Sequence, residues 1–121
     1  MIGGAKLTVS GERALLLVAV AMTAALVAAA AYSPGGIVLS YWPHAAVHVG
    51  AFGAFAIAWT LALPKLPAPL LMLAGAAIGF AHEAIEILGH AHPFEIDDAW
   101  LDAAGAIAGV ILARLPRWSS H

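Results

Sequence analysis

The acidic and histidine side chains that could do chemistry gather near the ends of hydrophobic segments. Two acidic pairs, three and four residues apart, each share one face of a helix: Glu83 with Glu86, and Asp98 with Asp102. His48 lies at a similar depth in a separate hydrophobic segment. Carboxylates and imidazoles bind cations, form hydrogen bonds and exchange protons. We therefore predict one ligand-binding pocket built from His48, Glu83, Glu86, Asp98 and Asp102.

Known metal and nucleophile motifs are incomplete in this sequence. His82 and Glu83 begin like the zinc-protease pattern His-Glu-x-x-His, but Glu86 stands where the second histidine belongs. The Glu-x-x-His pair of di-iron bundles is also missing, because Gly89 follows Glu86 at that spacing. No Gly-x-Ser-x-Gly nucleophile motif occurs. The pattern favours binding over catalysis, and a divalent Zn, Mn or Fe ion remains an open alternative as cofactor.

The same residues also have a structural interpretation. Ionisable groups at membrane depth are costly and usually mark functional sites. Carboxylate–imidazole pairs can equally hold helices together, and groups near a membrane surface reach water at low cost. For the histidines that flank the acids we expect positions near water: His82, His90 and His92.

The composition predicts that the segments carrying these residues belong to a membrane protein. Of the 121 residues, 63% are hydrophobic and 10% are charged, with a mean hydropathy of +0.93. Soluble domains contain roughly 25% charged residues. A bilayer core about 30 Å thick is crossed by about 20 helical residues. Four segments meet that length, which predicts an all-α, four-helix transmembrane bundle in one domain, 1–121, with spans near 12–32, 44–63, 68–88 and 97–115.

The basic residues predict the orientation of this bundle. All five lie before or in the first turn of the first span, between the second and third spans, or at or after the end of the fourth: Lys6, Arg13, Lys65, Arg114 and Arg117. Because loops rich in Lys and Arg stay inside the cell, both termini are predicted to be cytoplasmic, in a bacterial inner membrane. The acids and histidines then lie on the outer side. The apolar run 14–32 is longer than a signal-peptide core, so we predict a retained span.

Glycines are placed where helices could approach closely. Gly105 and Gly109 form a GxxxG motif on the same stripe as the two acids of the last span. Gly75 and Gly79 continue the acidic face of the third span inward. Such motifs allow backbone contact between helices. We predict that these four glycines pack helices inside the bundle, with a dimer interface as the alternative.

At these positions the sequence resembles the VanZ-like membrane protein family. That family shows a His early in one span, Glu-x-x-Gln near the end of the next, and Asp-x-x-x-Asn-x-x-Gly-x-x-x-Gly in the last. His48 matches the first feature, Glu83 the Glu of the second, and Asp98, Gly105 and Gly109 the third at the same spacing. The resemblance covers more than half of the chain, with the spans in the same order.

The sequence also departs from the family pattern. The family's Asp-Lys pair ahead of the His reads His44-Ala45, its Gln reads Glu86 and its Asn reads Asp102. Its Arg before the last span has no counterpart. The chain would be a divergent, more acidic member without the two basic site residues. A cationic or hydrogen-bonding ligand is therefore expected rather than a phosphate.

The resemblance implies a cell-envelope protein, since the founding member is linked to low-level resistance to the glycopeptide teicoplanin. The leading hypothesis is an outward-facing acid/His pocket that binds a ligand at the outer membrane interface. The alternative is a small structural or accessory subunit of a larger membrane complex. An enzyme or ion carrier is less favoured, because nothing ionisable continues inward below Gly79 and Asp102.

Expected partners follow from the same features. They are the lipid bilayer and either a second copy of the chain or a larger membrane complex. The net charge of −2 and the absence of a basic patch argue against nucleic acid.

Overall fold

The structure is a computed structural model that describes residues 9–32, 41–90 and 95–115. These residues form four helices: α1 (Val9–Tyr32), α2 (Tyr41–Ala62), α3 (Ala68–His90) and α4 (Ile96–Arg114). The prediction of an all-helical chain with four helices is confirmed. Each helix end lies within three residues of the predicted span end. Lys6, Arg117 and His92, and the side chain of His90, lie outside the described residues.

Among the described residues, three helices are long and apolar enough to cross a membrane: Ser10–Ala31, Trp42–Ala62 and Ala68–Leu88. The prediction of a membrane protein is supported to that extent. The remaining helix, α4, carries three acids in its first seven residues: Asp97, Asp98 and Asp102. Because charges in a lipid-exposed helix are costly, α4 would need protein around its polar end if the bundle lay in a membrane.

Helix α4 has that enclosure. It packs against both α2 and α3, and its contact with α2 is the most extensive in the structure. Its buried residues recur at helical spacing and include two of its acids: Asp98, Ala99, Asp102, Ala103, Gly105, Ala106, Gly109 and Val110. One continuous face of α4 therefore forms the centre of the bundle.

Glycines bring α2 and α4 into backbone contact. A Cβ atom added at Gly105 would lie 2.5 Å from the carbonyl oxygen of Val49 on α2. A Cβ at Gly109 would collide with the carbonyl oxygen of Gly53, one turn further along α2. Since real Cβ atoms do not approach so closely, these positions exclude side chains and set a short distance between the two helices.

Glycines also bring α3 close to α4. A Cβ at Gly75 would lie 2.8 Å from the Cβ of Ala106, and one at Gly79 would lie 2.8 Å from the Cβ of Asp102. The backbone of α3 therefore passes directly beside the acid-bearing turn of α4. This approach places the polar end of α3 next to the acids of α4.

The basic side chains lie at the opposite end of the bundle from these acids. The Arg114 guanidinium donates hydrogen bonds to the carbonyl oxygens of Leu63 (3.1 Å) and Leu66 (2.8 Å) in the α2–α3 turn. Glu12 of α1 borders the same turn. Among the described Lys and Arg residues, Arg13, Lys65 and Arg114 all belong to this end. We call it the basic end.

Candidate functional site

Two histidines of α2 face two aspartates of α4. His44 Nε2 donates to both carboxylate oxygens of Asp98, at 2.9 and 3.0 Å. One turn deeper, His48 Nδ1 donates to Oδ1 of Asp102 at 2.6 Å. His48 Nε2 also lies 3.6 Å from Oδ2 of Asp98. Both helices present their polar residues four apart, so the two pairs stack one above the other.

Helix α3 adds a histidine and two glutamates beside these pairs. His82 Nδ1 lies 3.9 Å from Oε1 of Glu83, 3.8 Å from Oε1 of Glu86 and 3.7 Å from Oδ2 of Asp102. These distances are too long for hydrogen bonds. We call the whole group the acid–histidine cluster, and it consists of His44, His48, His82, Glu83, Glu86, Asp98 and Asp102.

The centre of the cluster is buried and incompletely hydrogen-bonded. Glu83 and Asp102 are both 0% exposed. Within the part of the chain that the structure describes, the buried side-chain atoms without a hydrogen-bond partner are His82 Nδ1, both oxygens of Glu83, and Oδ2 of Asp102. All belong to this cluster. Such groups are rare in native proteins, and an ordered water, a bound ion or a functional role is the usual explanation.

The cluster contains more acidic than histidine side chains. It combines four carboxylates with three imidazoles, and the described Lys and Arg residues all lie at the basic end. Because electrostatic interactions are strong where water is excluded, a cation would be bound favourably there. An anion would meet repulsion from the carboxylates.

Access to the cluster is from the end formed by the start of α2 and α4. The His44 side chain is 37% exposed, whereas that of Asp98 beside it is 7% exposed. On the inner side the ring of Phe52, itself 1% exposed, meets His82 edge to face at 5.3 Å. The cluster is therefore open toward one end of the bundle and closed by aromatic packing toward its middle.

A separate apolar cavity reaches the cluster from the side. It has a volume of about 220 Å³ and lies between α1 and α3, with His82 at its polar border. Its other lining residues are apolar apart from Thr23. A second cavity of about 250 Å³ lies toward the basic end, is lined by apolar residues and Thr60, and touches none of the cluster residues.

The structure brings the five residues predicted as a pocket into one cluster: His48, Glu83, Glu86, Asp98 and Asp102. It adds His44, which sequence reasoning left out although it is one turn from His48. It also corrects the expectation for His82, which is 8% exposed rather than near water. The matching four-residue spacings of the histidines on α2 and the aspartates on α4 are the signal that could have identified His44.

Fold and site together define a small all-helical protein with three helices long and apolar enough to cross a membrane and with a buried acid–histidine cluster. No protein-family model matches the chain, and neither a curated protein nor a solved structure is significantly similar to it. The VanZ-like resemblance stays a prediction from the motif residues.

Proposed function

We propose that this chain is a multi-pass protein of the bacterial cytoplasmic membrane that binds a cationic ligand in its acid–histidine cluster. The observation that carries the proposal is Glu83, which is 0% exposed and has no hydrogen-bond partner for either carboxylate oxygen. A purely structural acid at this depth would be expected to have its oxygens paired. Glu83 instead offers them to something that the chain itself does not supply.

The VanZ-like setting is part of the same proposal. It rests on the motif residues of the sequence, and it adds a role in the cell envelope with a link to glycopeptide (teicoplanin) resistance. Since the cluster lacks the Lys and Arg of the family pattern, a cationic ligand is proposed rather than an anionic one.

All four helices cross the membrane in this proposal, with α4 shielded from lipid by α2 and α3. The basic end then faces the cytoplasm, and the exposed His44 opens toward the outer surface. Ligand would enter from outside, because Phe52 and its apolar neighbours separate the cluster from the inner half of the bundle.

Orientation is tested with single cysteines, since the natural chain contains none. Leu66 and Asp97 are exposed and lie at opposite ends of the bundle. A membrane-impermeant maleimide should label Asp97→Cys but not Leu66→Cys in spheroplasts, and should label both after the membrane is permeabilised. The reverse pattern in intact spheroplasts would contradict the outward-facing site.

Ligand binding is tested by native mass spectrometry of protein released from membranes in mild detergent. We expect the wild-type chain to carry an added mass that disappears in Glu83→Gln, because the substitution keeps the shape of the side chain and removes its charge. Glu12→Gln makes the same chemical change at the basic end and should keep the mass. Identical spectra for all three proteins would refute a ligand site at Glu83.

An accessory subunit is the second candidate, and helix α1 favours it. Only 11% of its membrane-length segment is buried inside the chain, against 33% for α2 and 28% for α3. A helix this exposed could face lipid or a partner protein. A fixed stoichiometry with another membrane protein, unchanged by Glu83→Gln, would support this candidate over ligand binding.

A further inference from the structure

We propose that the bound cation is a single divalent transition-metal ion, held by His48, Glu83 and Asp102. This inference rests on the proposed function and narrows its ligand to a metal ion. It starts from the central position of these three residues, which come from α2, α3 and α4 respectively. One ligand atom from each lies within 4.8 Å of the other two.

Two further groups of three with the same spacing overlap the central group. One consists of His44, His48 and Asp98 and shares His48 with the central group. The other consists of His82, Glu83 and Glu86 and shares Glu83 with the central group. The central group is therefore the place where the donor atoms of all three helices converge. The outer residues can serve as neighbours that orient the ligands.

The unpartnered atoms identify which side chains would turn toward the ion. Both oxygens of Glu83 and Oδ2 of Asp102 have no hydrogen bond to lose when they bind a metal. His48 Nδ1 lies 2.6 Å from Oδ1 of Asp102, and it would release its proton to solvent and exchange this hydrogen bond for the ion. The other ring nitrogen, Nε2, lies 3.6 Å from Oδ2 of Asp98. A carboxylate beside the second nitrogen of a metal-binding histidine is a common feature of metal sites.

The charge of the central group matches a divalent ion. Glu83 and Asp102 are acidic and fully buried, and the described Lys and Arg residues lie at the other end of the bundle. Two carboxylates and one doubly charged cation give a neutral unit. Neutrality matters here because uncompensated charge is costly inside a membrane protein.

The donor atoms indicate the class of metal. An imidazole nitrogen with carboxylate oxygens suits Zn²⁺, Mn²⁺ or Fe²⁺, whereas Cu⁺ prefers thiolates and thioethers. Ca²⁺ and Mg²⁺ prefer all-oxygen sites. The chain contains no cysteine, and the central group includes a histidine. A transition metal is therefore expected to bind more tightly than Mg²⁺.

The test measures metal content on intact protein purified in mild detergent through a tag without histidines. The protein is stripped with a chelator, reloaded separately with Zn²⁺, Mn²⁺ or Mg²⁺, dialysed, and analysed by inductively coupled plasma mass spectrometry. We expect one equivalent of Zn²⁺ or Mn²⁺ in the wild type and none of Mg²⁺. Glu83→Gln and Asp102→Asn should each weaken metal binding by more than about tenfold. Mutation of residues that only orient the metal ligands already weakens binding about 10–100-fold, and Glu83 and Asp102 would bind the ion directly.

Matched controls make the same chemical changes outside the cluster. Glu12→Gln lies at the basic end, and Asp97→Asn lies in the first turn of α4 with its side chain exposed. Both should retain one equivalent. Helix content by circular dichroism and elution volume are compared for every variant. If a site variant fails to fold, X-ray absorption of the zinc-loaded wild type decides, because the proposal requires an imidazole among nitrogen and oxygen ligands.

The outcomes separate this inference from the proposed function. Wild-type protein that binds neither Zn²⁺ nor Mn²⁺, or variants that bind like the wild type, would overturn the metal site. If native mass spectra then still show a non-metal mass that depends on Glu83, the proposed ligand pocket stands without the metal. If both measurements are negative, both proposals fail.

Discussion

Replacing Gly105 with valine should prevent stable packing of α2 against α4, whereas the same change at Gly50 should be tolerated. A Cβ atom at Gly105 would lie 2.5 Å from the carbonyl oxygen and 2.9 Å from the Cα atom of Val49. Both are backbone atoms, so no side-chain rotation relieves the collision. At Gly50 nothing lies within 4 Å of an added Cβ. Both glycines are helical, so the change in helix propensity is matched between the two variants.

The expected loss is about 3 kcal/mol of the free energy of unfolding for Gly105→Val, the upper part of the usual range for overpacking. Gly50→Val should change it by less than about 1 kcal/mol. Unfolding by SDS in mixed micelles, followed by circular dichroism, measures the difference. Equal stability of the two variants would mean that the α2 and α4 backbones are further apart than the structure has them. The two histidine–aspartate pairs would then lose their support.

Much of this fold was predictable because long apolar helices are easily recognised in a sequence. Length and hydropathy alone located α1, α2 and α3, and the helix ends agree to within three residues. Helix α4 is less apolar because Asp98 and Asp102 face protein, and only its burial in the bundle explains how it keeps them. Which helices touch was not predictable, since the glycine motifs indicate a close approach but do not name the partner.

The site was predictable at the level of helix faces. Spacings of three and four residues correctly grouped Glu83 with Glu86 and Asp98 with Asp102, because those pairs depend only on helix geometry. The contacts between helices were not predictable in the same way. His82 was expected near water, but Phe52 of α2 covers its ring, and no local pattern in α3 reports a neighbour on another helix.

The ligand-free protein should become more stable when Glu83 is replaced by methionine. The Glu83 carboxylate is fully buried with no hydrogen bond, and the His82 imidazole, 3.9 Å from Oε1, offsets only part of the cost of removing it from water. Methionine has a similar length and no charge, and it fits irregular apolar space. Replacing buried charged groups with apolar ones of similar volume is often neutral or stabilising, by about 1–4 kcal/mol. We expect a gain of about 2 kcal/mol in the presence of a chelator.

Asp102→Leu supplies the contrast, because Asp102 accepts a hydrogen bond from His48 at 2.6 Å. Leucine is close in shape to aspartate but leaves the His48 Nδ1–H without its acceptor, which should cost about 1–3 kcal/mol. Glu12→Met tests whether any loss of acidic charge stabilises the protein, and it should have almost no effect. Both comparisons use the same SDS unfolding assay in the presence of a chelator.

Opposite signs would show that Asp102 also supports packing through its hydrogen bond with His48, whereas Glu83 is kept for binding alone. A structural acid stabilises the protein that contains it, so destabilisation by Glu83→Met would favour the helix-pinning interpretation and remove the observation on which the ligand proposal rests. If the metal proposal is right, Zn²⁺ added at about 100 times its dissociation constant should stabilise the wild type by about 2.7 kcal/mol. Glu83→Met should show no such gain, since it lacks the carboxylate that would bind the ion.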